Sequence, residues 1–294
     1  MTFLTYLTSG LSLGSVYAII ALGYTMVYGI AKMLNFAHGD VIMVGAYVAF
    51  YSTSSFGLPA WLSVILSMAV CTMLGIIIER LAYKPLRGVS SLAVLITAIG
   101  VSYFLQNAAL LLFGSTPKVF KSIFDRVENL RLFDGQLVIA PETIFTILAC
   151  IMIMLVLSFF TNKTKMGKSM RAVSEDNGAA QLMGINVNST ISMTFAIGSA
   201  LAAIAGILLC SSYPTLMPTT GAMPGIKAFT AAVFGGIGSI PGAMVGGLLL
   251  GIIEIFARAY VSTELSDAIV FGVLILVLLV KPAGLLGKKV NEKV

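Results

Sequence analysis

Ionisable side chains are scarce in this sequence: 12 acidic and 18 basic residues stand among 294, with one histidine. A soluble domain of this size covers its surface with charge. The shortage, together with 58% hydrophobic residues and a mean hydropathy of +1.00, excludes that class and marks an integral membrane protein. No Lys or Arg precedes Lys32, so the basic region of a cleavable signal peptide is missing and the first apolar stretch reads as retained structure. Cysteine is sparse as well. Cys71, Cys150 and Cys210 each lie in an apolar run without a second Cys or a His at metal-ligand spacing, which makes them small buried hydrophobes rather than ligands. The lone His38 has no glycine-flanked serine or other nucleophile to serve, so the sequence reads as non-catalytic, without metal or cofactor.

What the chain has in quantity is apolar runs of bilayer-spanning length. They fall at about residues 5–31, 41–56, 60–78, 91–113, 142–160, 189–210, 225–239, 242–258 and 266–280. The expected fold is all-α: one polytopic membrane bundle over residues 1–294, with about eight or nine spans, interrupted helices and a short cytoplasmic helix. Between the spans lie three basic clusters: Arg80, Lys84 and Arg87; Lys163, Lys165, Lys168 and Arg171; and Lys281, Lys288, Lys289 and Lys293. These cations sit between spans rather than on one face of a soluble fold, so the net charge of +6 speaks for positive-inside topology and against nucleic acid. All three clusters, and with them the C-terminus, are placed in the cytoplasm. The segment 114–141 then falls outside by parity, and its Lys118, Lys121, Arg126 and Arg131 are balanced by Asp125, Glu128 and Asp134.

Polar groups inside the apolar runs are the candidates for function. The stretch NFAHGD puts Asn35, His38 and Asp40 between two spans; Asn35 and Gly39 suit a helix end, and Asp40 can cap a helix beginning at Val41. The first run carries no charge for thirty-one residues, about 46 Å as a straight helix against a hydrocarbon core of roughly 30 Å. It must tilt, protrude or break, with Gly23 and Gly29 as break points. A second interruption is expected at GGIGSIPG, where Gly236, Gly238 and Pro241 form either a tight hairpin or a cavity-lining break. Paired interruptions of this kind mark transporters built from related halves with a site at their junction. Gln106 and Asn107 need interhelical partners or a water-filled pathway. Glu254 and Arg258, four apart, share a helix face and can neutralise each other as an interfacial pair or inside the membrane.

The polar stretch KTKMGKSMRAVSEDNGAAQLMGINV, Lys163 to Val187, carries helix signals. Ser174 suits an N-cap, Glu175 and Asp176 place negative charge in a first turn, and Gly184 suits a C-terminal stop. A helix of about nine residues is too short to stand alone and calls for a docking surface, either a partner protein or lipid headgroups. GKS at Gly167 to Ser169 is not a phosphate loop, because Asn162 stands where the first glycine is required.

GYTMVYGIAKMLNFAHGDVIMVGAY, ERLAYKPLRG, LITAIGVSYFLQN, GKSMRAVSEDNGAAQLMGI and KAFTAAVFGGIGSIPGAMVGG occur in an order that resembles the branched-chain amino-acid ABC transporter permeases of the LivH type, over about Leu11 to Gly287. The resemblance implies a bacterial importer subunit that pairs with a second related permease, two cytoplasmic ABC ATPases and an extracytoplasmic substrate-binding protein, surrounded by membrane lipid. ATP hydrolysis would lie in the ATPases. It further implies that Arg171, Ser174, Glu175, Asp176 and Gly184 belong to the segment that couples the two. Permeases for ribose, nucleosides or urea share the broad architecture, and an ion-coupled transporter would need an Asp, Glu or His relay at the midplane, for which His38 and Asp40 are the sole nearby pair.

Overall fold

A computed structural model describes residues 2–125, 127–132 and 137–287. Arg126 and Asp134 of the polar loop, and Lys288, Lys289 and Lys293 of the last basic cluster, lie outside the described residues. Eleven α-helices and four short strands occur among those described: α1 (Thr2–Ala31), α2 (His38–Ser54), α3 (Ala60–Ile78), α4 (Ser91–Phe113), β1 (Lys118–Val119), β2 (Leu130–Leu132), β3 (Leu137–Ile139), α5 (Pro141–Lys163), α6 (Lys165–Glu175), α7 (Asn177–Leu182), α8 (Val187–Ser212), β4 (Thr215–Leu216), α9 (Ala222–Gly235), α10 (Ile240–Tyr260) and α11 (Ser266–Val280). Six helices, α1, α3 with its continuation to Leu86, α4, α5, α8 and α10, are long and apolar enough to cross a membrane. The apolar helices α2, α9 and α11 are shorter, at 17, 14 and 15 residues.

Helices α1 and α8 form the centre and bury most of their surface. Around them α3, α4 and α5 turn large apolar side chains outward, among them Met73, Phe104, Leu111 and Phe159. In water such exposure would be ruinous; in a bilayer it is a lipid-compatible surface.

The first helix does not break. Gly23 and Gly29 stay inside the continuous α1, and the chain turns only after Ala31, where Lys32 adopts φ 54°. Glycine serves close approach here instead. A Cβ on Gly14 would lie 2.7 Å from the Leu248 carbonyl oxygen, one on Gly247 2.4 Å from the Ala18 backbone, and one on Gly251 2.2 Å from Gly14. These contacts weld α1 to α10 antiparallel, backbone to backbone, as small residues do where lipid supplies no hydrophobic drive.

The bundle has two distinct ends. At one, β1 pairs antiparallel with β4 and β2 with β3, and the described residues of 114–141 lie there, with Ser122 Oγ donating to Glu142 at 2.8 Å. At the other lie the basic residues Arg80 to Arg87, helices α6 and α7, and residues 281–287. That last segment closes onto the α9–α10 turn through Leu285 N donating to Phe234 O at 2.9 Å and Leu286 N to Gly235 O at 2.8 Å. The GGIGSIPG stretch is therefore the tight-hairpin alternative: Gly236 to Ser239 form a turn at the basic end, and Ser239 Oγ caps α10 by accepting from Gly242 N at 3.2 Å.

Candidate functional site

Helix α2 starts inside the bundle. Residues 32–37 turn back from the end of α1, and the buried His38 opens α2 against Gly23 of α1 and Gly198 near the middle of α8. A side chain at Gly23 would collide with the imidazole, its Cβ falling 2.5 Å from His38 Nε2, so that glycine makes room for the ring. Tyr24 packs on the same ring at 4.6 Å between centroids, and Nε2 has no hydrogen-bond partner among the described residues. Asn35 is fixed from α3's extension, a π-helical turn Glu79–Tyr83, where Tyr83 Oη donates to Asn35 Oδ1 at 2.9 Å. Gln106 of α4 donates through Nε2 to Asp40 at 2.9 Å and also approaches Ser102. Helix α9 begins at the same place: a Cβ on Gly221 would lie 1.8 Å from the Gly39 carbonyl oxygen, and one on Gly225 2.9 Å from Gly39 Cα. Two helix starts thus meet mid-bundle, α2 leaving toward the strand end and α9 toward the basic end. This is the broken-helix geometry by which transporters place non-helical backbone at depth.

Beside that junction, on its strand side, a charge network crosses four helices. Glu254 of α10 is fully buried and accepts from Tyr17 Oη of α1 at 2.9 Å, Lys227 Nζ of α9 at 2.7 Å, and Arg258 one turn along α10. Lys227 also pairs with Asp267 at the start of α11, at 2.6 Å. Two cations and two anions balance, which is what membrane burial of ionised groups requires. Above the network opens a cavity of about 220 Å³, lined by Tyr17, Lys227 and Arg258 together with Leu13, Leu209 and Met223.

The basic end holds another fully buried glutamate. Glu79 accepts from Arg87 and from Ser192 Oγ at 2.6 Å, while Arg87 reaches Asn188, tying the ERLAYKPLRG stretch to the start of α8. Next to it α6 lies on the bundle with Met170 and Val173 buried, its start capped by Thr164 Oγ1 accepting from Gly167 N at 3.0 Å. A Cβ on Gly167 would lie 2.3 Å from the Phe160 carbonyl oxygen, so α6 folds back hard against the end of α5. Helix α7 then projects outward, leaving Leu182 and Met183 90% and 83% exposed before Gly184 turns the chain at φ 80°.

Residues 6–278 match the family described as "Branched-chain amino acid transport system / permease component". The chain is 46% identical to the high-affinity branched-chain amino acid transport system permease protein LivH of Escherichia coli K12 over 99% of its length and 98% of the relative's. It is 45% identical to BraD of Pseudomonas aeruginosa, a protein of the same description, with the same coverage. It is 31% identical to the probable branched-chain amino acid transport permease protein LivH of Methanocaldococcus jannaschii, over 92% and 88% of the two chains. The chain belongs to the branched-chain amino acid transport permease family.

Within this permease the sequence-based candidates divide. Asn35, His38, Asp40 and Gln106 come together around the junction. Asn107 does not: its Nδ2 donates to the Tyr103 carbonyl on the exposed side of α4. Gly236 and Gly238 lie at the α9–α10 turn against Leu286, Gly287 and Gly29, so the true counterpart of NFAHGD is Gly221 to Gly225 rather than GGIGSIPG. Asp40 is no cap; α2 starts earlier, at His38, and Asp40 sits in its first turn bonded to Gln106. In the polar stretch the boundaries also shift. Ser174 lies inside α6, its hydroxyl donating to the Arg171 carbonyl at 2.7 Å, and Glu175 ends that helix. The N-cap is Asp176, whose Oδ1 accepts from Gly178 N at 2.7 Å and Ala179 N at 3.0 Å, so one expected helix is two with a sharp corner between them. Glu254 and Arg258 do share a helix face, but the pair is the middle of a larger network rather than an isolated interfacial contact. Sequence reasoning passed over Tyr17, Glu79, Lys227 and Asp267. A lone lysine inside an apolar run, two residues after a proline-containing GAMPG, was the available signal for Lys227.

Proposed function

We propose that this permease forms one half of the translocation pathway of an ATP-driven importer of branched-chain amino acids in a bacterial cytoplasmic membrane. It would pair with a second related permease, two cytoplasmic ABC ATPases and an extracytoplasmic substrate-binding protein, with the ATP chemistry in the ATPases. The positive-inside rule puts the basic end and the C-terminal segment in the cytoplasm and the strand end outside.

The observation that carries this reading is α7. Two large apolar side chains, Leu182 and Met183, stand exposed at a corner of the cytoplasmic end, away from the lipid-facing belt. That is what a groove on an ATPase would bury. A push received there passes through the Asp176 corner into α6, whose Met170 and Val173 are seated in the same core as α1 and α8. Arg171, Ser174, Glu175, Asp176 and Gly184 make up this lever. The junction of α2 and α9 is then the part that the lever rearranges, and the mixed-charge segment 114–141 is the surface that meets the binding protein.

Recovery of an ABC ATPase with the permease under gentle detergent is the expected result of co-purification and mass spectrometry, and its failure would sink the proposal. Replacing Gly184 by Val forces a β-branched residue to φ 80°, a strain of about 1–3 kcal/mol, and should cut ATP-driven leucine uptake several-fold while the protein still inserts. Unchanged uptake would remove the coupling role from this segment.

A further inference from the structure

We infer that the cavity of about 220 Å³ at the strand end is an amino-acid binding site in which Arg258, seconded by Lys227, receives the α-carboxylate. The inference rests on the reading of the chain as an amino-acid permease and adds a place where the substrate is held.

Arg258 has a donor group to spare. Its Nη2 is spent on Glu254, and the side chain, 34% exposed, lines the cavity, which leaves Nη1 for a ligand. A guanidinium presents five N–H donors in a planar fork that matches a carboxylate. Lys227 has three donors and two carboxylate partners, Glu254 and Asp267, which leaves one N–H unspent on a side chain that also lines the cavity.

The charge balance selects the ligand class. Lys227, Arg258, Glu254 and Asp267 already sum to zero, so a simple anion would leave net charge beside the buried Lys227 and Glu254, whereas a zwitterion adds none. The remaining wall suits the rest of such a molecule. Leu13, Leu209 and Met223 offer apolar contact to an aliphatic side chain, and the Tyr213 hydroxyl offers an acceptor to the ammonium group. Thr215 of β4 and Thr220, Met223 and Pro224 at the start of α9 also line the cavity, which places it at the strand end.

Thiol protection tests this without demanding high affinity. Met223 is half exposed, while Cys71, Cys150 and Cys210 are buried, so M223C in the assembled complex in nanodiscs provides one maleimide-reactive group in the cavity wall. Leucine should slow its labelling at least threefold. Leucinol, which lacks the carboxylate, and 4-methylpentanoate, which lacks the ammonium, should not. R258Q should abolish the leucine protection and R258K should retain part of it. Equal protection by leucinol would overturn the carboxylate receptor, and equal protection by 4-methylpentanoate would overturn the zwitterion argument. If R258Q fails to assemble, the ligand comparison in M223C alone decides. Leucine uptake by the unsubstituted complex is measured in parallel: uptake without protection overturns this site alone, whereas absence of leucine uptake overturns the functional reading on which it rests.

Discussion

Both ends of the bundle bury a glutamate completely, and they do so in opposite ways. At the strand end Glu254 receives three donors from three helices and belongs to a neutral group of four charges around a cavity. At the basic end Glu79 has one cation, Arg87, reached from the same segment of chain, and a serine from α8. The first arrangement joins elements far apart in sequence and cannot lose a member without exposing the others' charge. The second is a clip at the edge of the bundle whose single cation, with 19% of its side chain exposed, is less enclosed than Lys227 of the first, at 5%. Burial alone therefore says little about what a carboxylate does; the number of helices it ties together, and whether its partners could find solvent without it, says more.

Breaking the strand-end network should have the largest effect. Glu254→Leu leaves the buried Lys227 with Asp267 as its one remaining carboxylate, and should cost about 3–5 kcal/mol, read as a lowered unfolding temperature of the purified permease. The double variant K227M/E254L should recover part of that loss, and a double variant no better than the single would deny that the two residues act as a pair. Glu79→Leu should cost less, about 2 kcal/mol, because Arg87 can turn to water and Ser192 can bond its own helix. If the same thermal measurement ranks Glu79→Leu above Glu254→Leu, the contrast between the ends fails. Asp176→Ala removes the cap at the α6–α7 corner and should cost about 1 kcal/mol locally, seen as faster hydrogen exchange in residues 177–182, with reduced coupled uptake. Ser174→Ala should change stability by less than about 0.5 kcal/mol, since that hydroxyl bonds only the turn beneath it. An equal loss in the two would restore Ser174 as the cap.

Much of the fold was legible because hydropathy is a local property. Run lengths located the long helices to within a few residues, and the described members of the basic clusters share one end in the structure. The breaks were harder to read. Gly23 and Gly29 looked like weak points in α1, yet each faces a neighbour that needs the space, and the same atom count that permits a kink permits close packing. GGIGSIPG outshone TTGAMPG as an interruption because it has more glycines, although the chain meets NFAHGD at the latter. Tyr17 and Glu254, 237 residues apart, could not be paired from spacing, since a helix pattern reports neighbours three or four positions away and nothing further. Asp176 and Ser174 are two residues apart, within the ordinary error of a helix boundary, but that error decides which side chain holds the corner.

The glycine seam between α1 and α10 bears on how the protein is made. Helix α1 leaves the ribosome before α10, and the surface that Gly10, Gly14 and Tyr17 present is completed only when α10 follows, more than two hundred residues later. Until then the bilayer holds a helix with a bare groove and an unanswered phenol, and the intervening helices must insert around it. A chain that has not yet reached Ile240 lacks the backbone that fills that groove and the carboxylate that answers the Tyr17 hydroxyl.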